Sequence, residues 1–176
     1  LVEHIMKKYK KIIEIMNKIN SPMNFQSLLT IIIDSAKELI NVDAASYLVL
    51  DKQELIFDVV ISDKGEIIKG KRLKIGEGAA GHVAQTREPI IINDVNSSDI
   101  FTNAIDECSG YQTKNLLAVP VMIKDKLIGV LEAVNSLNEE GFSNSDLTYM
   151  MYLADAAAVA INNHELVINL KNRVNE

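Results

Sequence analysis

The chain has 176 residues, 48% of them hydrophobic and 24% charged, with a formal net charge of −6. This is the composition of one globular domain, and the acidic balance argues against a basic surface for nucleic acid. No apolar run is long enough to cross a bilayer, so we expect no membrane contact. The single cysteine, Cys108, excludes an internal disulfide and a multi-cysteine zinc site and, with no signal peptide visible, favours a cytoplasmic location.

The first residues predict a helix with an apolar seam. Apolar side chains recur three and four residues apart, as in the a and d positions of a coiled coil: Val2, Ile5, Tyr9, Ile12, Met16 and Ile19. The seam is short, so two interpretations stay open: a helix that packs on its own domain, or one that pairs with a second copy of the chain. We favour the homodimer.

A second helix is predicted between Asn24 and Asn41. Asn20-Ser21-Pro22 ends the first helix, and Asn24 is placed as the N-cap of the second, with Met23 and Leu28 in the positions of a hydrophobic staple. Asn41 is a plausible stop.

Two runs that follow, Ala44 to Leu50 and Leu55 to Ile61, predict an antiparallel hairpin, and Ser62 to Glu66 reads as a turn. By the two-residue period of a strand, Ser46 shares a face with the apolar residues Ala44 and Leu48.

A glycine cluster interrupts the chain at Gly76, Gly78 and Gly81. Read alone, this spacing matches the dinucleotide-binding fingerprint. That motif needs a fully buried parallel strand before it, whereas Arg72 to Ile75 alternates polar and apolar residues and the following helix has only about two turns. We interpret the glycines as a tight passage from strand to helix.

The start of this short helix is a candidate binding site. Free N–H groups of Ala79 and Ala80 at a helix N-terminus can hold an anionic or polar group. His82 lies on the same helix and is a further candidate, although an isolated histidine is more often an ordinary helix residue. Beyond the helix, Ile90-Ile91-Ile92 reads as another strand.

The next two apolar runs, Leu116 to Val121 and Ile128 to Asn135, predict a closing hairpin. Glu132 faces the same side as Val130 and Val134, where a carboxylate is costly to bury without a partner. A ligand, a cation or a protein donor should therefore contact it. A carboxylate satisfied by the protein itself remains the alternative.

The last stretch predicts a long helix. Ser143 and Asp146 form a capping-box pair, with Phe142 and Leu147 at the staple positions. Apolar residues then recur at helical spacing as far as Val174.

Several of these stretches together resemble the GAF domain family of small-molecule-sensing regulatory domains. They are GEGAAGHVA with the strand before it, Thr86-Arg87-Glu88-Pro89, the isoleucine run ending at Asp94-Val95, and the closing hairpin. The similarity runs from about Asn24 to Asn162.

The resemblance implies an α+β, profilin/PAS-like fold: a central antiparallel sheet, long N- and C-terminal helices on one face and a ligand cavity on the other. We assign residues 1–20 to an N-terminal linker helix, 21–162 to the GAF-like domain and 163–176 to a C-terminal helix extension.

The resemblance also places the cavity between the sheet and two loop regions, Gly78 to His82 and Asp94 to Tyr111. In cyclic-nucleotide-binding relatives, a serine at the position of Ser46 lines this cavity. The predicted ligand-binding residues, with no catalytic residue and no metal among them, are Ser46, Ala79, Ala80, His82, Asn93, Asp94, Thr102, Tyr111 and Glu132.

Other functional classes of the family fit this chain less well. Methionine-sulfoxide-reducing members use several cysteines, and bilin photoreceptors use a cysteine commonly followed by histidine, whereas Ser109 follows Cys108 here. A haem needs an axial histidine, and only His82 lies near the cavity. We expect neither haem nor bilin.

The signature of cyclic-nucleotide-binding members, Asn-Lys followed by Phe-x-x-x-Asp-Glu, is half present. Asn135, Phe142 and Asp146 match it, whereas Ser136 and Leu147 replace the lysine and the glutamate.

We therefore expect a non-catalytic, dimeric, ligand-sensing module that regulates an attached signalling output domain of a longer protein. The ligand is an unidentified small molecule, with a cyclic nucleotide as one candidate. The alternatives are a dimerisation scaffold without ligand and a cyclic-nucleotide-binding GAF domain.

Overall fold

The computed structural model describes residues 2–19 and 24–174, which form a six-stranded sheet with helices on both faces. The helices are α1 (Val2–Ile19), α2 (Phe25–Ile40), α3 (Gly65–Ile68), α4 (Gly78–Thr86), α5 (Ala104–Ser109) and α6 (Asn144–Val174). The strands are β1 (Val42–Asp51), β2 (Glu54–Ile61), β3 (Arg72–Lys74), β4 (Ile90–Ile92), β5 (Leu116–Ile123) and β6 (Lys126–Ser136), and a 3₁₀ turn spans Val95–Ser97.

The strand order is β3-β2-β1-β6-β5-β4, and every neighbouring pair is antiparallel. Both predicted hairpins, β1–β2 and β5–β6, are present. The strand before the glycine cluster, β3, pairs antiparallel with β2, so the glycines do not belong to a parallel dinucleotide-binding unit. The α+β prediction is confirmed.

Local capping chemistry fixes the ends of the long helices. The Asn24 side chain accepts a hydrogen bond from the Gln26 N–H at 2.9 Å, and Asn41 ends α2 in the left-handed conformation with φ 55°. At the start of α6, the Ser143 N–H donates to Asp146 at 2.8 Å and the Asp146 N–H donates back to the Ser143 hydroxyl at 3.3 Å. The predicted caps are confirmed, whereas Met23, of the predicted staple, lies outside the described residues.

The sheet separates two apolar layers. On one face Tyr47, Leu117 and Leu131 pack against α2 and α6. On the other face Leu48 and Val130 pack against α4 and the loops around it. Because side chains alternate along a strand, neighbouring residues of β1 and β6 serve different layers.

The packing of α1 differs from the predicted seam. Ile15, which lies outside that seam, is 2% exposed in the helix-side layer, and Ile12 packs beside it. Lys8 lies over the Tyr149 ring at 4.4 Å, and Lys11 forms an ion pair at 2.8 Å with a glutamate of α2. These contacts turn one face of α1 towards its own domain.

The opposite face of α1 keeps apolar side chains in solvent. The exposed fractions range from 37% for Ile5 to 74% for Val2, with Met6, Tyr9 and Ile13 between them. The side chains of Met16 and Ile19, which complete the predicted seam, lie outside the described residues. The residues of the predicted seam therefore do not share one face of α1: Ile12 packs against the core of its own domain, whereas Tyr9 is exposed to solvent.

Two further differences concern α3 and α6. The turn predicted at Ser62 to Glu66 runs into a short helix, Gly65–Ile68. The last helix, Asn144–Val174, continues without a break across the predicted boundary at residue 162, and that boundary stays a prediction. Among the described helices, none is long and apolar enough to cross a membrane.

Candidate functional site

A cavity lies between the sheet face that carries Leu48 and Val130 and the segments that cover it. It holds about 70 Å³ of space for water-sized groups, where one water needs roughly 10–15 Å³. Most of its wall is apolar, and the polar side chains that reach it are Ser46, Ser62, Thr102, Asp106, Ser109, Tyr111, Thr113 and Glu132. An apolar cavity with a few converging polar groups is the usual form of a small-ligand site.

The floor of the cavity is built by the two central strands. Ser46 of β1 lies directly opposite Glu132 of β6, which in turn faces Ala118 of β5. Opposed residues in antiparallel strands project on the same side of the sheet. The two floor residues singled out in the sequence, Ser46 and Glu132, are thus brought together as neighbours.

The Glu132 carboxylate has no protein partner among the described residues. Its side chain keeps some accessible area, but that area faces the cavity. Burial, with a smaller contribution from the charge of Asp106, raises the pKa of Glu132 to about 7. The group is therefore ready to form a hydrogen bond that the protein itself does not supply.

The start of α4 forms one edge of the cavity. Gly78, Ala79 and Ala80 all line it. Their N–H groups have no acceptor within the helix, because its first hydrogen bond runs from the Gly81 N–H to the Glu77 carbonyl oxygen. Gly78 has φ +64°, and a Cβ there would lie 2.8 Å from the Thr102 side chain. Glycine therefore lets the helix begin in close contact with the loop that covers the cavity.

The covering wall is residues 99–113, which contain α5. Within it Asp106 accepts two hydrogen bonds from Thr113, one from the N–H at 2.7 Å and one from the hydroxyl at 2.8 Å. The Tyr111 hydroxyl donates to Asp43 of β1. Burial and this contact with Asp43 raise the pKa of Tyr111, so its hydroxyl stays protonated.

Three predicted contacts lie outside the cavity. His82 is two residues beyond Ala80, which is about 200° around the helix, so it points away. The Asn93 side chain accepts from the Phe142 N–H at 2.7 Å and donates to the Phe142 carbonyl at 3.0 Å. Asp94 accepts from the Asn96 N–H at 3.0 Å and caps the 3₁₀ turn. The other six, Ser46, Ala79, Ala80, Thr102, Tyr111 and Glu132, all line the cavity.

Sequence reasoning missed four polar lining residues, Ser62, Asp106, Ser109 and Thr113. Asp106 and Ser109 are three residues apart on α5, so helical spacing could have placed both on one face. No local pattern indicates Thr113, because its position depends on its bonds to Asp106.

The charges in the cavity restrict what it can bind. Asp106 and Glu132 are acidic, and no lysine, arginine or histidine is among the lining residues. In the described part of the chain no cluster of His, Cys, Asp or Glu is arranged to hold a metal ion. Cys108 is exposed and does not line the cavity. The site offers hydrogen-bond acceptors, hydroxyl groups and helix N–H groups.

Comparison with known proteins supports the same fold. The chain is 37% identical over 98 residues to the dual 3′,5′-cyclic-AMP and -GMP phosphodiesterase 11 of Drosophila melanogaster, an alignment that covers 54% of this chain and 7% of that protein. The GAF domain of a phosphoenolpyruvate-protein phosphotransferase from Coxiella burnetii superposes with a TM-score of 0.80 at 23% identity, covering 92% of this chain and 96% of that one.

An enzyme shares the fold as well. Free methionine-R-sulfoxide reductase from Neisseria meningitidis, solved with its substrate, superposes with a TM-score of 0.76 at 17% identity, covering 91% of both chains. The family model for the GAF domain matches residues 24–161. The chain therefore belongs to the GAF domain family.

Proposed function

We propose that this domain is a non-catalytic sensor, in which a small molecule bound in the cavity regulates an output domain of the same protein. The observation that carries the proposal is the unpartnered carboxylate of Glu132 in a mostly apolar cavity. A buried acceptor without a partner is costly, and a ligand that donates a hydrogen bond removes that cost. Binding energy gained in this way can shift the domain between conformations.

A purine cyclic nucleotide is the ligand class to test first. Its amino or ring N–H groups and its ribose hydroxyl can donate to Glu132 and Asp106, and the N–H groups at the start of α4 suit its phosphate. The partial similarity to a phosphodiesterase whose name gives cyclic AMP and cyclic GMP supports this choice. The lack of a basic lining residue favours a singly charged phosphate over a polyphosphate, because only the helix start offsets the charge.

A thermal-shift titration with cyclic AMP and cyclic GMP tests the proposal. A ligand at one hundred times its dissociation constant stabilises the folded state by about 2.7 kcal/mol, which for a chain of this size raises Tm by roughly 5–11 °C. Glu132→Ala should reduce the shift, measured against the ligand-free Tm of the same variant. Glu139→Ala, at an exposed glutamate of the β6–α6 connection, should leave it unchanged.

If neither nucleotide nor a panel of amino-acid-like metabolites shifts Tm, the cavity is not a sensor site and the ligand-free scaffold is the better description.

The position of the only thiol supports a non-catalytic role. Cys108 is exposed on α5, its Sγ lies 3.2 Å from the Ile105 carbonyl oxygen, and it is not part of the cavity wall. Turnover of free methionine sulfoxide by this chain, abolished in Cys108→Ser, would overturn this part of the proposal.

A homodimer through the terminal helices is the second part of the proposed function. The exposed face of α1 and the C-terminal part of α6 both carry apolar side chains, including Tyr9, Ile13, Leu166 and Leu170, each between 49% and 62% exposed. Exposed apolar patches of this kind mark interaction surfaces.

Sedimentation of a Tyr9→Asp, Ile13→Asp double variant at low micromolar concentration tests the dimer. We expect a monomer, because charges are placed in an apolar contact. Ile12 is unsuitable for this test because it packs on its own domain. A double variant with Lys7→Gln and Lys10→Gln, at exposed polar positions of the same helix, lowers the net charge by the same amount and controls for the charge change. A dimer that persists in the first variant places the interface elsewhere.

A further inference from the structure

The cavity brings acidic side chains together without a basic one. Among the described residues that line it, the carboxyl groups are those of Glu132 and Asp106, and the lining residues include no lysine, arginine or histidine. Tyr111 is the other titratable lining residue, and its hydroxyl donates to Asp43. The lining residues contributed by β2, β3, β5, α3 and α4 are all uncharged. An anionic ligand therefore meets only acidic or neutral side chains in this cavity.

Few hydrogen-bond donors remain in the cavity to offset a negative charge on a ligand. The Ser109 hydroxyl donates to the Ile105 carbonyl oxygen at 2.8 Å. The Thr113 hydroxyl donates to Asp106, also at 2.8 Å. The start of α4 adds N–H groups and a helix dipole equivalent to about half a positive charge. A singly charged anion is therefore only partly compensated by the protein.

The two carboxyl groups differ in the contacts that they already make. Asp106 accepts one hydrogen bond from Thr113 at each of its two oxygens, whereas Glu132 has no protein partner among the described residues. An unpaired carboxyl group in an apolar wall favours its neutral form. Burial raises the pKa of Glu132 to about 7, so this group can take up a proton near neutral pH.

We propose that the cavity binds an anionic ligand together with a proton, which the carboxyl group of Glu132 carries. A protonated carboxyl group donates one hydrogen bond and accepts others, whereas an ionised one adds a charge that repels the ligand. The ligand in turn strengthens the binding of the proton, because linkage between two binding events is reciprocal. This inference rests on the proposed function and adds to it the regulation of the same site by pH.

The affinity of this chain for cyclic AMP and cyclic GMP at pH 6 and pH 8 tests the inference. The cyclic phosphate keeps a single negative charge over this range, so a change in affinity reports on the protein. If only the protonated form of Glu132 binds the anion, a pKa of about 7 predicts an affinity about tenfold weaker at pH 8 than at pH 6.

Glu132→Gln is the matched variant for this measurement. Its amide is neutral at every pH and, like a protonated carboxyl group, both donates and accepts hydrogen bonds. The variant should bind about as tightly as wild type at pH 6 and about tenfold more tightly than wild type at pH 8. Glu139→Gln, at an exposed position, should keep the pH dependence of wild type.

The proton itself can be counted by isothermal titration calorimetry. At pH 8, titrations in two buffers of different ionisation enthalpy should show that wild type takes up close to one proton per bound nucleotide. Glu132→Gln should take up none, because its side chain does not titrate.

The possible results separate this inference from the proposed function. A wild-type affinity that is equal at both pH values, or higher at pH 8, overturns proton-linked binding and leaves the sensor proposal standing. Binding by wild type at pH 6 only, together with binding by Glu132→Gln at both pH values, supports the inference. If neither protein binds either nucleotide even at pH 6, the proposed nucleotide ligand and this inference are both overturned.

Discussion

Replacing Glu132 by glutamine tests whether the carboxyl group in the cavity is neutral in the ligand-free domain. Burial, together with the charge of Asp106, raises the pKa of Glu132 from its ordinary 4.5 to about 7. The folded state therefore holds this proton more tightly than the unfolded chain does. The stability that the folded state gains from holding this proton is fully present below about pH 4.5 and is lost as the pH rises towards 7.

The size of the loss follows from the two pKa values. At 1.36 kcal/mol per pKa unit, the ionised carboxylate destabilises the folded domain by about 3 kcal/mol above pH 7. Glutamine stays neutral at every pH. Glu132→Gln should therefore exceed wild type in its free energy of unfolding by less than about 1 kcal/mol at pH 5 and by about 3 kcal/mol at pH 8.

Urea unfolding of both proteins at pH 5 and pH 8 measures this difference. Comparing the two proteins at the same pH cancels the contributions of all other titrating groups. At pH 8 the difference corresponds to a Tm higher by roughly 6–12 °C in the variant. Glu139→Gln, at an exposed position, should match wild type at both pH values.

An equal difference at both pH values would falsify the argument, since Glu132 would then ionise like a solvent-exposed glutamate.

Three further substitutions test the packing that positions the cavity, each by urea unfolding. Gly129→Ala should destabilise the domain by about 1–3 kcal/mol or more, because the added Cβ would lie 2.4 Å from the Leu48 carbonyl oxygen. An unchanged free energy of unfolding would mean that β1 and β6 can move apart at this point without a loss of stability. Tyr47→Phe should cost about 1–3 kcal/mol, because the buried hydroxyl donates to the Ile128 carbonyl at 3.2 Å. Asn24→Ala should cost about 1 kcal/mol and Asn24→Asp much less, because aspartate keeps the capping acceptor; an equal loss in both variants would contradict the cap.

Short-range chemistry made much of the fold predictable. Asn24, Asn41 and the Ser143–Asp146 pair mark helix ends because each acts on backbone groups within a few residues. The alternation along β1 and β6 likewise placed Ser46 and Glu132 on one face before their pairing was known.

What depends on tertiary contacts was not predictable. The predicted seam on α1 did not include Ile15 because both faces of that helix are apolar, and only packing on α2 and α6 decides which face is buried. The Asp106–Thr113 bonds join positions seven residues apart through a loop, a spacing with no regular period. The prediction for His82 was wrong because α4 is short and rich in small residues. Its sequence pattern therefore does not decide which face of the helix turns towards the cavity.

The uninterrupted course of α6 has a geometric consequence. No glycine or proline occurs between Asn144 and Val174, so nothing in its sequence bends the helix or frees its hydrogen bonds. Each added residue turns the helix by about 100° and advances it by about 1.5 Å. A partner attached one residue later along α6 therefore faces a different direction, while one attached seven residues later returns to within about 20°. The helix sets an angular phase between the cavity and whatever its far end touches, and an insertion of one to six residues changes that phase by about 40° or more.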